Sequence, residues 1–167
     1  MKRLVVGRGN LNADIIIVGE APGAKEDLEG KPFVGKSGKL LCNLLLETGF
    51  NLENEIYFCN VLKCRPPNNR KPLKREVNMH KPWLVQQIKL IDPKVIILTG
   101  STAMKAVLGV NESITTVRGK WINKNGKEYI SIYHPSYLLR FSCKENNSPY
   151  RLTLKDLKNV RNKLYNL

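Results

Sequence analysis

Four short runs of apolar, largely β-branched residues constrain the fold of this chain more than any other sequence feature. They occupy residues 13–19, 55–62, 94–100 and 128–133, and each has the length of one buried strand. Segments with helical spacing lie at residues 37–48, 74–90, 101–108 and 152–164. Strands that alternate with helices are typical of a parallel sheet covered on both faces. We therefore predict an α/β fold with a four-stranded, mostly parallel central sheet, formed as a single domain over residues 1–167.

The carboxyl ends of the predicted strands carry the residues best suited to a functional site. In open parallel sheets, ligands bind outside these strand ends. We predict that one crevice collects Gly19 with Glu20, Asn60, Gly100 with Ser101, and His134. Ser101 is also the predicted N-cap of the helix that follows the third strand.

The charge of the chain indicates a polyanionic partner. It has 28 Lys and Arg residues against 14 Asp and Glu residues, a formal net charge of +14 at pH 7. Residues 63–81 hold seven basic side chains against one acid, and residues 140–163 hold seven against two. Two basic runs beside one crevice favour a nucleic acid over an anionic membrane surface. No apolar run reaches the roughly 20 residues of a membrane helix, and no secretory signal is present, so we expect a cytoplasmic protein.

The loop that follows the first strand is the segment most specialised for contact with a ligand. Residues 19–36 hold four glycines and two prolines, which allow close backbone approach and stiffen the path. The loop matches neither G-x-G-x-x-G nor the P-loop pattern, so no nucleoside triphosphate site is predicted. Phe33 within it is either a core residue or a stacking platform for a base.

Asn60 and His134 are the polar candidates at the strand ends. The Asn60 amide offers one acceptor and two donors, which suit the Watson–Crick edge of a pyrimidine, and a strand-end cap is the alternative. His134 can donate a hydrogen bond to a departing anion near neutral pH, or it can be a structural hydrogen-bonding residue. Its place in the crevice favours the catalytic interpretation.

Three separated motifs, in this order, closely resemble the family 4 uracil-DNA glycosylases. They are GEAPG with ED and GKPFVGKSG over residues 19–38, NVLKCRPP over 60–67, and HPSYLLR over 134–140. This resemblance runs nearly end to end. It implies a three-layer α/β/α sandwich that hydrolyses the N-glycosidic bond of deoxyuridine in DNA, leaves an abasic site and starts base excision repair. It also implies a monomer that acts on single- or double-stranded DNA inside the cell.

The resemblance assigns roles to residues of the crevice. Phe33 would stack on the flipped uracil, Asn60 would bind its polar edge, and His134 would stabilise charge on the leaving base. Glu20 would place or polarise the attacking water. Glu26 and the backbone of Ala21 would line the pocket with Glu20.

The same resemblance assigns a set of DNA contacts. Phosphate-contacting positions would be Ser37, Ser101 and Ser136. A wedge that holds the duplex open from the minor groove would be formed by Leu138, Leu139 and Arg140.

The cysteines depart from the family pattern. Family 4 members resemble one another in holding a 4Fe-4S cluster on four cysteines, two of them near the N-terminus. Here Cys64 matches one ligand position, and His80 stands where another cysteine is found. Cys42, Cys59 and Cys143 match no ligand position. The sequence has no C-x-x-C pair, so neither a zinc site nor a disulfide framework is expected. We therefore expect no cluster, no other metal and no cofactor.

Two alternatives to uracil excision stay open from the sequence. One is a DNA-binding module that keeps the fold and the charge but has no turnover. The other is a glycosylase for a different base, such as hypoxanthine, xanthine or a modified pyrimidine. A third possibility, covalent trapping of uracil-DNA through a histidine of an inserted basic loop, is disfavoured because no such insertion follows Cys64.

Overall fold

The computed structural model describes residues 3–141 and 145–166. Its centre is a six-stranded sheet in the order β1-β3-β2-β4-β6-β5. The strands are β1 (Arg8–Gly9), β2 (Ile15–Gly19), β3 (Ile56–Asn60), β4 (Val95–Thr99), β5 (Trp121–Lys124) and β6 (Lys127–Ile132). The helices are α1 (Ala24–Glu29), α2 (Lys36–Glu47), α3 (Lys74–Ile91), α4 (Gly100–Leu108), α5 (Ile114–Val117), α6 (Pro135–Arg140) and α7 (Pro149–Leu164), with a 3₁₀ turn at Pro67–Asn69.

The four predicted strands form the parallel centre of the sheet, which confirms the α/β prediction. β3, β2, β4 and β6 are parallel neighbours. Two short antiparallel strands extend the edges, so the sheet has six strands and not four. β5 leads into β6 through Asn125 and Gly126, which have φ values of 54° and 74°. Positive φ at both central residues is the requirement of a tight type I′ hairpin turn, and Asn-Gly meets it.

Alternation along the buried strands divides the core into two layers. Ile15 and Ile17 face a cluster that includes Leu44 of α2 and Leu157 of α7. Ile16 and Val18 face the opposite cluster, which includes Leu84, Ala103 and Ala106 of α3 and α4. Helices therefore cover both faces of the sheet, as in the predicted three-layer sandwich. Among the described residues, no helix combines the length and the apolar character needed to cross a bilayer.

Several local predictions need correction. The loop after β2 contains α1, whose N-terminus follows Gly23 and which ends at Gly30 in the left-handed conformation. Ser101 is not an N-cap, because α4 already begins at Gly100, directly after β4, with Thr99 in the capping position. The segment after His134 is a helix, α6, with Pro135 in its first turn. Proline is well suited to that position because its missing N–H would have no helical partner there.

A buried ion pair fastens α7 to the segment that leads into β5. Both Arg118 and Asp156 are largely buried, with side chains 16% and 5% exposed. Arg118 Nε donates to Asp156 Oδ2 at 2.9 Å, Nη2 donates to Oδ1 of the same carboxylate, and Nη2 also donates to the Leu152 carbonyl at 3.3 Å. Burial raises the pKa of Asp156 despite the guanidinium beside it. Removal of one partner would therefore leave a buried, unpaired charge and lower the stability of the fold.

We expect Asp156→Ala to lower the free energy of unfolding by roughly 3–5 kcal/mol, because Arg118 would stay buried without its partner. Urea denaturation followed by circular dichroism measures this change. Glu29→Ala is the matched control, since Glu29 pairs with Lys25 at 3.7 Å on the surface and should contribute less than about 1 kcal/mol. Equal losses in the two variants would contradict the role given to the buried pair.

Candidate active site

The strand ends enclose two adjoining cavities. The inner cavity has a volume of about 300 Å³, and its wall includes Ala21, Glu26, Phe33, Ser37, Asn60 and His134. The outer groove has a volume of about 490 Å³, and its wall includes Glu20, Ser101, Thr102, His134, Tyr137 and Arg140. Asn69, His134 and Ser136 border both. The predicted crevice therefore exists, and it consists of two adjoining compartments.

Phe33 forms part of the wall of the inner cavity in an unusual backbone conformation. Its φ is 56°, a value that bulky residues rarely adopt. Its ring packs against Phe58 of β3 with 5.5 Å between ring centroids, and it is 8% exposed. A Cβ on Gly19 would lie 2.7 Å from the ring, and a Cβ on Gly38 would lie 2.4 Å from the Phe33 backbone. Glycine is required at both positions because the turn takes the space of a side chain.

Glu26 holds the turn that presents Phe33. Its Oε1 accepts hydrogen bonds from the Val34 and Gly35 N–H groups at 3.0 and 2.7 Å. Glu26 lies in the lining of the inner cavity, and its carboxylate fixes the backbone after Phe33. Ala21 lies on the same wall, as the sequence indicated.

Asn60 ends β3 and is 4% exposed. Its carbonyl accepts a hydrogen bond of 2.6 Å from the ammonium of Lys63, which is also buried and donates to Gln87 as well. Burial lowers the pKa of Lys63. A Cβ on Gly19 would lie 2.3 Å from Asn60 Oδ1, so the amide rests directly on the end of β2. The Asn60 backbone is thus held from outside the cavity, and its side chain packs against Gly19.

His134 sits between the cavities at the start of α6. Its Nδ1 accepts the Ser136 N–H at 3.2 Å and lies 2.7 Å from Ser136 Oγ. Burial lowers the pKa of His134, and the Glu20 carboxylate opposes that shift. The imidazole is therefore neutral at pH 7, and because Nδ1 is an acceptor, Nε2 carries the proton. His134 thus has one N–H donor available in a fixed orientation.

Glu20 faces the outer groove beside His134. Its Oε2 accepts a hydrogen bond from Thr102 Oγ1 in the first turn of α4. A Cβ on Gly100, which has a φ of 85°, would lie 2.8 Å from His134 Cβ. The beginning of α4 therefore supports both the carboxylate and the imidazole.

The residues predicted to contact DNA lie in different parts of the site, and one of them is buried in the core. Ser37 and Ser136 line the inner cavity, while Ser101 lies in the outer groove. Leu139 and Arg140 are exposed at the end of α6, in keeping with a wedge. Leu138, however, is 2% exposed and belongs to the core beneath α6, so it anchors the helix and the structure does not support its place in the wedge.

The two basic runs serve more than one purpose. Lys71 and Arg140 line the outer groove, as expected for residues that follow phosphates. Lys63 is instead buried behind Asn60. Arg70 forms a bidentate pair with Glu76, and Arg161 pairs with Glu55. Part of the positive charge therefore stabilises the fold.

Asn69, Thr102 and Arg8 are among the side chains of the site that were not predicted from the sequence. Asn69 borders both cavities with a φ of 53°, and a Pro-Pro-Asn-Asn segment is the local signal for such a turn. Thr102 and Arg8 act through contacts with Glu20 and with the Phe33 turn. Their partners are distant in sequence, and no local pattern marks them.

The cysteines do not fit a four-ligand cluster. Cys64 is partly buried, and His80 Nδ1 already accepts the Lys63 N–H at 3.2 Å. Cys59 is fully buried in β3, where burial raises the pKa of its thiol to about 11, and Cys42 lies on α2 beside Arg8. Cys143 lies outside the described residues. Within residues 3–141 and 145–166, no group of three or more His, Cys, Asp or Glu side chains could hold a metal ion.

Known proteins are similar in sequence to this chain over most of its length. The model of the uracil DNA glycosylase superfamily matches residues 6–158. A type-4 uracil-DNA glycosylase of Thermotoga maritima is 46% identical over 160 residues, which cover 95% of this chain and 81% of that protein. One from Archaeoglobus fulgidus is 44% identical over 143 residues, or 81% of this chain and 71% of that protein. A DNA polymerase of Bacillus phage SP01 is 34% identical over 134 residues, which cover 80% of this chain and 14% of the polymerase.

The fold is shared with a solved structure as well. A Methanosarcina acetivorans chain studied by solution NMR superposes with a TM-score of 0.59 at 16% identity, covering 96% of this chain and 98% of that one. This likeness concerns the fold alone. The family match over residues 6–158 and the 46% identity to a type-4 relative lead to one assignment: the chain belongs to the uracil DNA glycosylase superfamily, in its type-4 group.

Proposed function

We propose that this protein is a monofunctional uracil-DNA glycosylase, which hydrolyses the N-glycosidic bond of deoxyuridine in DNA and leaves an abasic site. One observation supports the proposal: the lining of the inner cavity includes the Phe33 ring, the Asn60 amide and the His134 imidazole, and the adjoining groove is lined by the basic residues Lys71 and Arg140. The relatives at 44–46% identity are type-4 uracil-DNA glycosylases.

Access to the bond requires that the nucleotide leave the base stack. Extrusion costs a few kcal/mol, and contacts with phosphates and an inserted side chain offset it. In the proposal, Leu139 and Arg140 enter the minor groove, while Ser37, Ser101 and Ser136 bind phosphates. Lys71 and Arg140 in the outer groove support this placement, because they attract the DNA backbone.

The flipped uracil occupies the inner cavity in this proposal. Phe33 stacks on the base, and the Asn60 amide donates to O4 and accepts from N3–H. Glu26 and Ala21 complete the wall. The support is that Asn60 is held through Lys63 and Gly19, so its amide can select a partner that matches its donor and acceptor.

The chemical step breaks the N1–C1′ bond, and its electron pair leaves with the uracil anion. Neutral His134 donates its Nε2–H to O2 of the base and stabilises the developing charge. A water molecule adds its oxygen to C1′, and Glu20 orients it and takes the proton that it loses. Thr102 holds one oxygen of Glu20, which leaves Oε1 to receive this proton. The residues described here need no metal for these steps.

We also propose that the protein works without the iron–sulfur cluster that the family 4 resemblance implies, as an intracellular, DNA-associated monomer built from one domain over residues 1–167. The support is local: the Lys63–Gln87 contact and the His80–Lys63 contact fasten the end of β3 to α3, and His80 stands at a predicted ligand position.

Removal of the imidazole should slow excision far more than it weakens binding. We expect His134→Ala to lower the single-turnover rate by roughly 10²–10³-fold, because one donor to the leaving anion is lost, while the Kd for uracil-containing DNA changes little. Alkaline cleavage of a single-uracil oligonucleotide measures the rate, and anisotropy measures the Kd. Leu90→Ala, on the exposed face of α3, is the control for loss of a side chain outside the cavities. Unchanged excision in His134→Ala would remove the basis of the assignment.

The amide of Asn60 should determine which base is accepted. We expect Asn60→Asp to reduce uracil excision by at least about tenfold, because a carboxylate faces O4 of uracil where the amide donated a hydrogen bond. A panel of oligonucleotides with uracil, hypoxanthine, xanthine and thymine gives the relative rates. Asn162→Asp on the exposed face of α7 is the control for the added charge. If all bases were affected alike, Asn60 would have no role in discrimination.

The protein purified without oxygen from cells supplied with iron should be colourless. We expect no charge-transfer absorption in the visible range and no iron in a colorimetric assay, because Cys64 is the only thiol at a predicted ligand position. Cys64→Ser should then keep the wild-type rate of excision. Stoichiometric iron and sulfide, lost in Cys64→Ser, would overturn the proposed cluster-free state.

A further inference from the structure

We propose that Arg8 is a positioning residue for the base site: it holds the Phe33 turn in the conformation that presents the aromatic ring to the flipped base. The inference rests on the proposed function, since it names a determinant of how that site binds uracil. Arg8 lies on β1, the two-residue edge strand, and belongs to none of the three motifs that carry the family resemblance.

The Arg8 guanidinium reaches the acceptor side of the turn. Nε donates to the Pro32 carbonyl at 2.7 Å, and Nη2 donates to the Phe33 carbonyl at 3.2 Å. Arg8 Cζ lies 4.4 Å from the centroid of the Phe58 ring, and that ring packs on Phe33. The guanidinium thus contacts the turn directly through hydrogen bonds and indirectly through Phe58.

Glu26 completes the arrangement from the donor side. Its carboxylate accepts the N–H groups of Val34 and Gly35, directly after the two carbonyls that Arg8 binds. The turn over residues 32–35 is therefore held between a cation on its carbonyls and an anion on its N–H groups. A phenylalanine with a φ of 56° is strained, and such a conformation persists only where surrounding contacts impose it.

The chemistry of the contact requires arginine. A planar guanidinium can donate to two neighbouring carbonyls while its face stacks on an aromatic ring. The ammonium of a lysine is a compact point charge, and it cannot make both hydrogen bonds and the stacking contact together. Charge alone at this position is therefore not enough.

The test compares Arg8→Met and Arg8→Lys with the wild-type protein. We expect each variant to raise the KM for a uracil oligonucleotide and the Ki of free uracil by a similar factor, about tenfold for Arg8→Met, since base stacking weakens. The kcat should stay within about twofold, because His134 and Glu20 are untouched. Free uracil reports on the inner cavity without any DNA backbone.

Arg161→Met is the matched control. Arg161 also stacks on a phenylalanine, with Cζ 5.0 Å from the centroid of the Phe50 ring, and its removal subtracts the same charge far from the two cavities. This variant should lose thermal stability and keep the wild-type Ki for uracil. If Arg8→Met lowered the Tm like the control and left both KM and Ki unchanged, Arg8 would be a structural residue only, and the inference would fail.

A second comparison covers the case in which Arg8→Met does not fold. Arg8→Lys keeps the charge and the long side chain, and it should still raise the Ki; a wild-type Ki in a folded Arg8→Lys protein would refute the need for a guanidinium. The proposed function is tested separately by uracil release from DNA in the wild-type protein. If release were absent, calorimetry with free uracil would still decide whether Arg8 shapes the cavity.

Discussion

Hydrogen bonding between the four parallel strands sets the level at which each strand ends, and every part of the site takes its position from that level. Gly19 pairs with Asn60 across β2 and β3, and Thr99 pairs with Ile132 across β4 and β6. A slip of one residue would turn each side chain to the opposite face of the sheet. Asn60 would then leave the cavity and a core residue would enter it. The buried isoleucines that fix the register are thus as necessary for recognition as the polar side chains.

The side chains at the strand ends are held by residues from other parts of the fold. Lys63 and Gln87 fasten the Asn60 backbone, Thr102 holds Glu20, and Ser136 fixes the tautomer of His134. The residues of the site therefore have two different roles. Residues that face the cavity present hydrogen-bonding groups, while the groups behind them decide where those atoms point. Burial lowers the pKa of His134 more than the Glu20 carboxylate raises it, so the imidazole is neutral although a carboxylate lies beside it.

The sequence predicts most of the fold because the four apolar runs are strong and regular. The β5–β6 hairpin also has a local signal, Asn125-Gly126, which the strand pattern alone does not use. Leu138 shows a limit of prediction. The sequence does not distinguish it from the adjacent Leu139, but the orientation of α6 directs Leu138 into the core and leaves Leu139 exposed. The contacts of Arg8 with Pro32 and Phe33 span 24 and 25 residues, and that of Thr102 with Glu20 spans 82. Such partners are set by tertiary packing and leave no spacing to find.

The packing of Phe33 and Asn60 against Gly19 also affects the thermodynamics of recognition. A side chain that is free in solution loses rotamer entropy when a ligand immobilises it, and this loss weakens association. Here the Phe33 ring and the Asn60 amide pack against Gly19 within the fold itself, so this packing does not depend on a bound base. The entropy cost of restricting these two side chains is therefore part of the free energy of folding and not of the free energy of DNA binding. The base would therefore meet a wall whose side chains are already packed.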